Sequence, residues 1–200
     1  MRSSAVGEDS ASASFAGQHE TVLNVREPEA LLAAVRRVYD SARTSAALGY
    51  RQKLGLAGEP RMAVVVQALV PAVSSGILFT RHPISGADER VIEAAWGLGE
   101  IVVAGLVTPD RYRLARGGQV LERTAGDKDL AIVWDEAGGT REIAVEPERI
   151  SALCLSDAQL ARLEQLAQAC EAAFGGTQDL EWSFAQGELF LLQRRAITRG

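Results

Sequence analysis

The sequence predicts an α+β fold with mixed, mostly antiparallel sheet and flanking helices, and three observations carry that prediction. Apolar residues recur at helical spacing in one stretch near the start and one near the end. Between them lie several short apolar runs separated by Gly, Pro and Asp. The chain then closes on two runs rich in aromatic and branched residues around Ala185-Gln186-Gly187, the pattern of a β-hairpin.

Two hundred residues, 47% hydrophobic and 24% charged, suit a globular chain able to bury a sizeable core. A net charge of −5 argues against general nucleic-acid binding while leaving room for a local basic pocket. Cys154 and Cys170 make no disulfide framework, and Cys170 reads as a small core residue. No apolar run spans a bilayer, and Met1-Arg2-Ser3-Ser4 lacks the apolar stretch of a signal peptide, so the expectation is a cytoplasmic protein without membrane or nucleic-acid partners.

Residues 1–20 are small and polar and read as a loop, interrupted by Phe15-Ala16-Gly17-Gln18. Backbone N–H groups of such a Ser/Gly loop can wrap a phosphate, and a floppy tail is the alternative. Thr21–Val25 has β character. A helix follows, with Pro28 at its start and Leu31, Leu32, Val35, Val38, Tyr39 and Ala42 as its stripe. Arg36, Arg37 and Arg43 lie off that stripe on a solvated face. Residues 49–60, with three glycines and Pro60, read as a connection.

Met62–Val70 is a continuous apolar run, expected to be a strand buried on both faces and interrupted by Gln67, which then needs a partner. Gly76–Thr80 and Arg90–Trp96 are further strands, joined by the turn Arg81–Gly86. His82 and His19 have no metal-ligand spacing and read as structural. Gly97-Leu98-Gly99-Glu100 can let backbone approach a ligand, and Glu100 either meets a ligand hydroxyl or caps the turn. Pro109-Asp110 makes a turn, and Arg111–Glu122 a hairpin about Gly117-Gly118. Ser156 with Gln159 forms a capping box for a helix carrying Leu160, Leu163, Leu166, Ala167, Cys170 and Phe174, stopped by Gly175-Gly176.

In the closing hairpin, alternation puts Leu180, Trp182 and Phe184 on one face and Asp179, Glu181 and Ser183 on the other. In the second strand it groups Leu189, Leu191 and Gln193, with Arg195 returning to that face. A carboxylate, an amide and a guanidinium can therefore meet on one side of the pair. Hard oxygens suit Mg²⁺ and a guanidinium suits phosphate. A metal–nucleotide site and a plain edge hairpin with solvated charges both fit this pattern.

Four stretches in order carry a family resemblance. They are Arg2-Ser3-Ser4-Ala5 with Glu8-Asp9 and Ser14-Phe15-Ala16-Gly17-Gln18; Val66-Gln67 leading to Gly76–Thr80; Gly97-Leu98-Gly99-Glu100 with Val103, Gly105 and Pro109-Asp110; and Asp179-Leu180-Glu181-Trp182 with Leu192-Gln193-Arg194-Arg195-Ala196-Ile197-Thr198. In these the chain resembles the ATP-binding, ATP-grasp domain shared by phosphoenolpyruvate synthase, pyruvate phosphate dikinase and rifampicin phosphotransferase. The tryptophan after Glu181 and the Gly-Leu-Gly-Glu form lean away from pyruvate phosphate dikinase.

The resemblance implies ATP and Mg²⁺ as cofactors. It makes Arg2 and Arg195 the catalytic arginines, places Gly17 and Thr21 in the phosphate-loop region, puts Gln67 at the adenine hinge, and makes Glu181 and Gln193 the metal- and phosphate-binding pair. Glu100 matches a family acidic position. It also implies a division at 1–60, from the family's N-terminal subdomain, and 61–200, the C-terminal subdomain. In the family the β-phosphate of ATP passes through a histidine on a separate domain. That domain, the pyruvate- or antibiotic-binding domain and a further N-terminal half with an ATP-binding lysine are expected to be missing. His82 stands where relatives often carry Asn, and Ala196 where proline is common. The expected function is the ATP-binding portion of a phosphoenolpyruvate synthase-like dikinase. The alternatives are a rifampicin phosphotransferase-like domain and a non-catalytic nucleotide-binding remnant.

Overall fold

A computed structural model describes residues 1–5, 9–10, 13–14, 19–56 and 58–197. It has a mixed α+β architecture, and the chain divides into two compact units. The described residues of the first are those of 1–69 together with 134–140; the second holds 70–133 and 141–197.

In the first unit, β1 (Arg2–Ala5) pairs antiparallel with a later strand, while β2 (Asp9–Ser10) and β3 (Ala13–Ser14) pair with each other. Arg2–Ala5, Asp9–Ser10 and Ala13–Ser14 are thus strand where composition suggested loop. Thr21–Val25 forms no strand, though Val22 exchanges backbone hydrogen bonds with Met1 at 2.6 and 2.9 Å. Helix α1 (Pro28–Ser41) starts on its proline as expected. It buries Ala34, Val38 and Ser41, whereas Leu31, Leu32 and Tyr39 of the predicted stripe are exposed. Arg37 pairs with Glu20 on the exposed side, and the Arg43 guanidinium lies 4.6 Å over the Tyr39 ring.

Helix α2 (Ser45–Lys53) occupies much of the expected connection. The Thr44 hydroxyl accepts from the Ala47 N–H at 3.3 Å, and Arg51 and Lys53 sit in the last turn, where they suit the negative end. Strand β4 (Met62–Val65) pairs with β1 and ends there. The long buried strand expected over Met62–Val70 is not formed: Val66 is 59% exposed and Gln67 is exposed. Segment 134–140 also belongs to this unit. The Asn24 carboxamide donates to the carbonyls of Asp135 (2.6 Å) and Gly139 (2.8 Å), and the Gly139 N–H returns a bond to the Asn24 carbonyl.

The second unit is a six-stranded sheet built from β5 (Ser74–Phe79), β6 (Glu89–Trp96), β7 (Asp110–Ala115), β8 (Val120–Thr124), β11 (Gln178–Ala185) and β12 (Glu188–Ala196). Its order is β12-β11-β5-β6-β7-β8, and every pairing is antiparallel. The short helix α3 (Glu100–Val103) follows β6. Strands β9 (Leu130–Trp134) and β10 (Thr140–Ala144) form a separate pair, and the short helix α4 (Pro147–Ile150) leads toward α5 (Asp157–Phe174). Ser156 and Gln159 make both halves of the expected capping box. Among the described residues no helix is long and apolar enough to cross a membrane.

Helix α5 lays Leu160, Leu163, Ala167 and Cys170 against Leu78, Ile92, Tyr112, Leu114, Leu180, Trp182 and Phe184, the core. Both cysteines are free and buried. Gly76 makes room for Trp182: a Cβ there would lie 2.8 Å from the indole and 1.9 Å from the Glu93 carbonyl oxygen.

Two buried charge networks complete the unit. The fully buried Arg90 guanidinium donates from Nε to Glu164 at 2.8 Å and to both Glu171 oxygens at 2.9 and 2.8 Å, and also to the Thr80 carbonyl at 2.6 Å. Burial pushes the Glu164 carboxyl up, but the bonds from Arg90, the Gly117 N–H and Gln168 outweigh it and hold the group below its ordinary value. The second network centres on Asp110, which is fully buried in β7 and not in a surface turn. Asp110 pairs with the buried Lys128 and accepts from the N–H groups of Gly126 (2.8 Å) and Cys154 (2.7 Å) and from the Tyr112 hydroxyl (3.2 Å).

Replacing Arg90 leaves two carboxylates without their cation. Arg90→Met is expected to cost about 3–5 kcal/mol in a urea titration. The held-down Glu164 and Glu171 carboxyls contribute stability that is complete above the ordinary glutamate value, about pH 4.3, and lost as pH falls through their lower folded values. The acid limb of a stability-against-pH curve should therefore flatten in Arg90→Met.

Candidate functional site: a charged face on the six-stranded sheet

One face of the sheet is covered by α5, and the other carries the polar residues of the hairpin. On β11 Leu180, Trp182 and Phe184 point to the core and Asp179, Glu181 and Ser183 to the opposite face, as alternation requires. On β12 the alternation breaks. Glu181 pairs with Gln193 but Trp182 pairs with Leu191, so Leu192 is an extra residue in a β-bulge. Leu189 and Leu191 therefore stand opposite the core residues Phe184 and Trp182, while Gln193 and Arg195 stand opposite Glu181 and Asp179. The expected grouping of Leu189 and Leu191 with Gln193 is corrected, yet the carboxylate, amide and guanidinium do share a face.

The amide and the guanidinium are close. With the Gln193 carboxamide oxygen turned toward Arg195, it accepts from Nε at 2.9 Å and Nη2 at 2.8 Å. Arg194 takes the other face, where it donates to Gln178 at 2.8 Å and covers the Phe174 ring at 4.4 Å. Across the sheet the Glu181 row continues through Ile77, Glu93 and Arg111. Glu93 thus adds a third acidic side chain to the face, after Asp179 and Glu181. The apolar character of its strand hides it, and its signal is a lone charge at the alternate position between Ile92 and Ala94. Among the described residues no group of three or more His, Cys, Asp or Glu is arranged to hold a metal.

The Gly-Leu-Gly-Glu turn reaches this face through β5. The Ser75 hydroxyl, beside Ser183 on the same face, donates to the Gly97 carbonyl at 2.7 Å. Gly97 has φ +81°, and its N–H donates to the Val73 carbonyl at 2.9 Å. A Cβ at Gly97 would lie 2.3 Å from the Ile132 carbonyl oxygen. The close approach that its missing side chain permits is therefore to the protein's own strand. Glu100 opens α3 and is exposed.

The remaining candidates lie in the first unit. Arg2 stands opposite Val65 in the β1–β4 pair, and Gln67 lies two residues beyond Val65. Thr21 is exposed and adjoins the Val22–Met1 pair, one residue from Arg2. The Arg2 Nε is buried without a hydrogen-bond partner. Gly17 lies outside the described residues.

Fold and face together define an α+β domain whose sheet face opposite α5 presents a carboxylate and a carboxamide beside a guanidinium. The chain belongs to the pyruvate phosphate dikinase, AMP/ATP-binding domain family, whose model matches residues 1–200. It is 41% identical over 200 residues, 99% of the chain, to a probable phosphoenolpyruvate synthase of Methanothermobacter thermautotrophicus. It is 43% identical over 200 residues to a rifampicin phosphotransferase of Streptomyces sviceus, and 36% identical to one of Bacillus subtilis, each again over 99% of the chain. These matches cover 29%, 23% and 23% of the relatives' lengths, so the chain spans less than a third of the curated proteins it resembles. The family reading drawn from the four motifs is borne out, and the chain is an ATP-binding portion of the dikinase-type kind.

Gly97→Ala combines an unfavourable φ with a clash against backbone. The variant is expected to lose about 2 kcal/mol or more in thermal or urea unfolding, whereas Gly99→Ala, with an αR backbone and its nearest atom at 3.6 Å, should lose little.

Proposed function

We propose that this chain binds Mg²⁺–ATP on an ATP-grasp scaffold and acts within a phosphotransferase of the phosphoenolpyruvate synthase kind, in a cytoplasmic setting. The observation that carries the reading is the register that sets Glu181 opposite Gln193 with Arg195 on the Gln193 carboxamide. A carboxylate and an amide oxygen fit Mg²⁺, which takes one or two protein oxygens and completes its shell from phosphate and water. When bound, the metal neutralises charge on the phosphate oxygens.

The chain's own residues bind and orient. Glu181 would hold the metal with Gln193, whose carboxamide oxygen would turn from Arg195 to it, and the guanidinium released in this way would direct its charge at a phosphate oxygen. Arg2 contacts phosphate as the second catalytic arginine. Gly17 and Thr21 belong to the phosphate loop, Gln67 to the adenine hinge and Glu100 to the nucleotide-binding set. In this reading segments 1–60 and 61–200 descend from the two family subdomains. The β-phosphate passes to a histidine on another domain, and pyruvate is the final acceptor. A rifampicin phosphotransferase-like ATP-binding domain is the second reading, favoured by 43% identity to that enzyme of Streptomyces sviceus against 41% to the synthase.

Calorimetric titration with ATP, with and without Mg²⁺, tests the site. Wild type should bind in a Mg²⁺-dependent manner, and Glu181→Ala should bind at least roughly tenfold more weakly. Mg²⁺-dependent binding that survives Glu181→Ala unchanged removes this face from the site.

A further inference from the structure

We propose that the turn after β5 carries an oxyanion subsite, formed by the Nε2–H of His82 and the guanidinium of Arg111, with phosphate as its ligand. The inference rests on the turn alone and not on the ATP reading. In Arg81-His82-Pro83-Ile84-Ser85-Gly86 the His82 Nδ1 accepts from the backbone N–H groups of Ile84 and Ser85, each at 3.2 Å. The ring caps its turn as an Asn or Asp side-chain oxygen would. A nitrogen that accepts two N–H groups keeps its lone pair, so the proton of the neutral ring sits on Nε2.

That Nε2 faces the Arg111 Nη2 at 3.4 Å. A guanidinium has no acceptor. Both groups are therefore donors and neither satisfies the other, whereas one oxygen of an oxyanion accepts from both. Arg111 is exposed and, among the described residues, forms no ion pair, although Glu93 stands opposite it on β6. The Glu89 carboxylate nearby is engaged by Arg113, which donates to its two oxygens at 2.9 and 2.8 Å. Arg113 also holds Glu122 at 2.8 Å. Glu89 and Glu122 are thus both engaged by Arg113, and neither carboxylate takes up the donors of Arg111. The site lies across β5 and β6 from Glu181, at the strand end where β5 leaves the sheet.

Nitrogen-detected NMR of the imidazoles, with His19 as the internal control, tests the proposal. In phosphate-free buffer above the ordinary histidine pKa, His82 should show an unprotonated Nδ1 and a protonated Nε2. Inorganic phosphate should shift the His82 Nε2 signal saturably at fixed pH, and chloride at equal ionic strength should not. Arg111→Gln should weaken that response roughly tenfold or more. His82→Asn keeps an oxygen to cap the turn and should weaken phosphate binding, read as the shift of the Arg111 guanidinium signals. AMP that shifts His82 as tightly as phosphate identifies a phosphate-monoester ligand; phosphate alone identifies the free ion. An Nδ1-protonated ring, a response equal to that of chloride, or unchanged affinity in Arg111→Gln overturns the subsite. Because phosphate is titrated without nucleotide or Mg²⁺, its failure is separate from failure of ATP binding at Glu181.

Discussion

Strand β11 is bonded on both edges, to β5 and to β12, and the register of those two ladders sets the rest of the second unit. A slip of one residue would turn Leu180, Trp182 and Phe184 out of the core and Glu181 into it. The largest lock against such a slip is Trp182, fully buried over Gly76, where a Cβ could not be accommodated. Its edge-on contact with Phe184, at 5.6 Å between ring centres, joins the two aromatic residues of the strand into one block. Burying side chains of this size is worth about 2–3 kcal/mol each, and a slipped register loses them all. The position of Glu181 on the polar face is thus held by residues that never touch that face.

The opposite face is tied down by charge as well as by apolar packing. Arg90 reaches from β6 to Glu164 and Glu171 of α5, and Arg116 adds two further bonds to Glu171 at 2.8 and 3.1 Å. Asp110 gathers Gly126, Lys128, Tyr112 and Cys154 around one carboxylate. Such networks add little net free energy over an apolar core of the same shape, but each member is costly to remove alone. They fix how α5 and the segment before it sit on the sheet. The buried Cys154 thiol, pushed up first by burial and then by the Asp110 charge, belongs to this scaffold and not to any redox chemistry.

Local signals made much of this legible. The capping box at Ser156 and the terminal hairpin depend on contacts within a few residues, and both were readable from their own segments. Helix α2 was not, because Gly49 and Gly55 read as breakers, although Thr44, Arg51 and Lys53 carried helix-end signals. Apolar content alone predicts one long strand over Met62–Val70, because it does not reveal which segment enters a ladder; the pairing with β1 ends at Val65. The burial of Arg90 and Lys128 has no local signal, since it depends on Glu171, 81 positions from Arg90, and on Asp110, 18 positions from Lys128. At the candidate site, alternation alone grouped Gln193 with Leu189 and Leu191. Only the bulge at Leu192, a feature of the paired ladder and not of the strand by itself, separates them.

The bulge also bears on the charge of the proposed site. It brings a neutral carboxamide, not a second carboxylate, opposite Glu181, and sets the Arg195 guanidinium on that carboxamide. A hard cation is held more weakly as the number of charged ligands falls. In the proposed site Glu181 with Gln193 would therefore carry too little charge to keep Mg²⁺ in place unaided, and the phosphates of the nucleotide would supply the remainder. A carboxylate at position 193 would capture the guanidinium in an ion pair and compete with phosphate for it. The carboxamide orients Arg195 through two hydrogen bonds while leaving the positive charge of the guanidinium uncancelled by its partner at that position. In the proposed site metal and phosphate would then be recognised as one ligand, the behaviour expected of a domain that handles Mg²⁺–ATP.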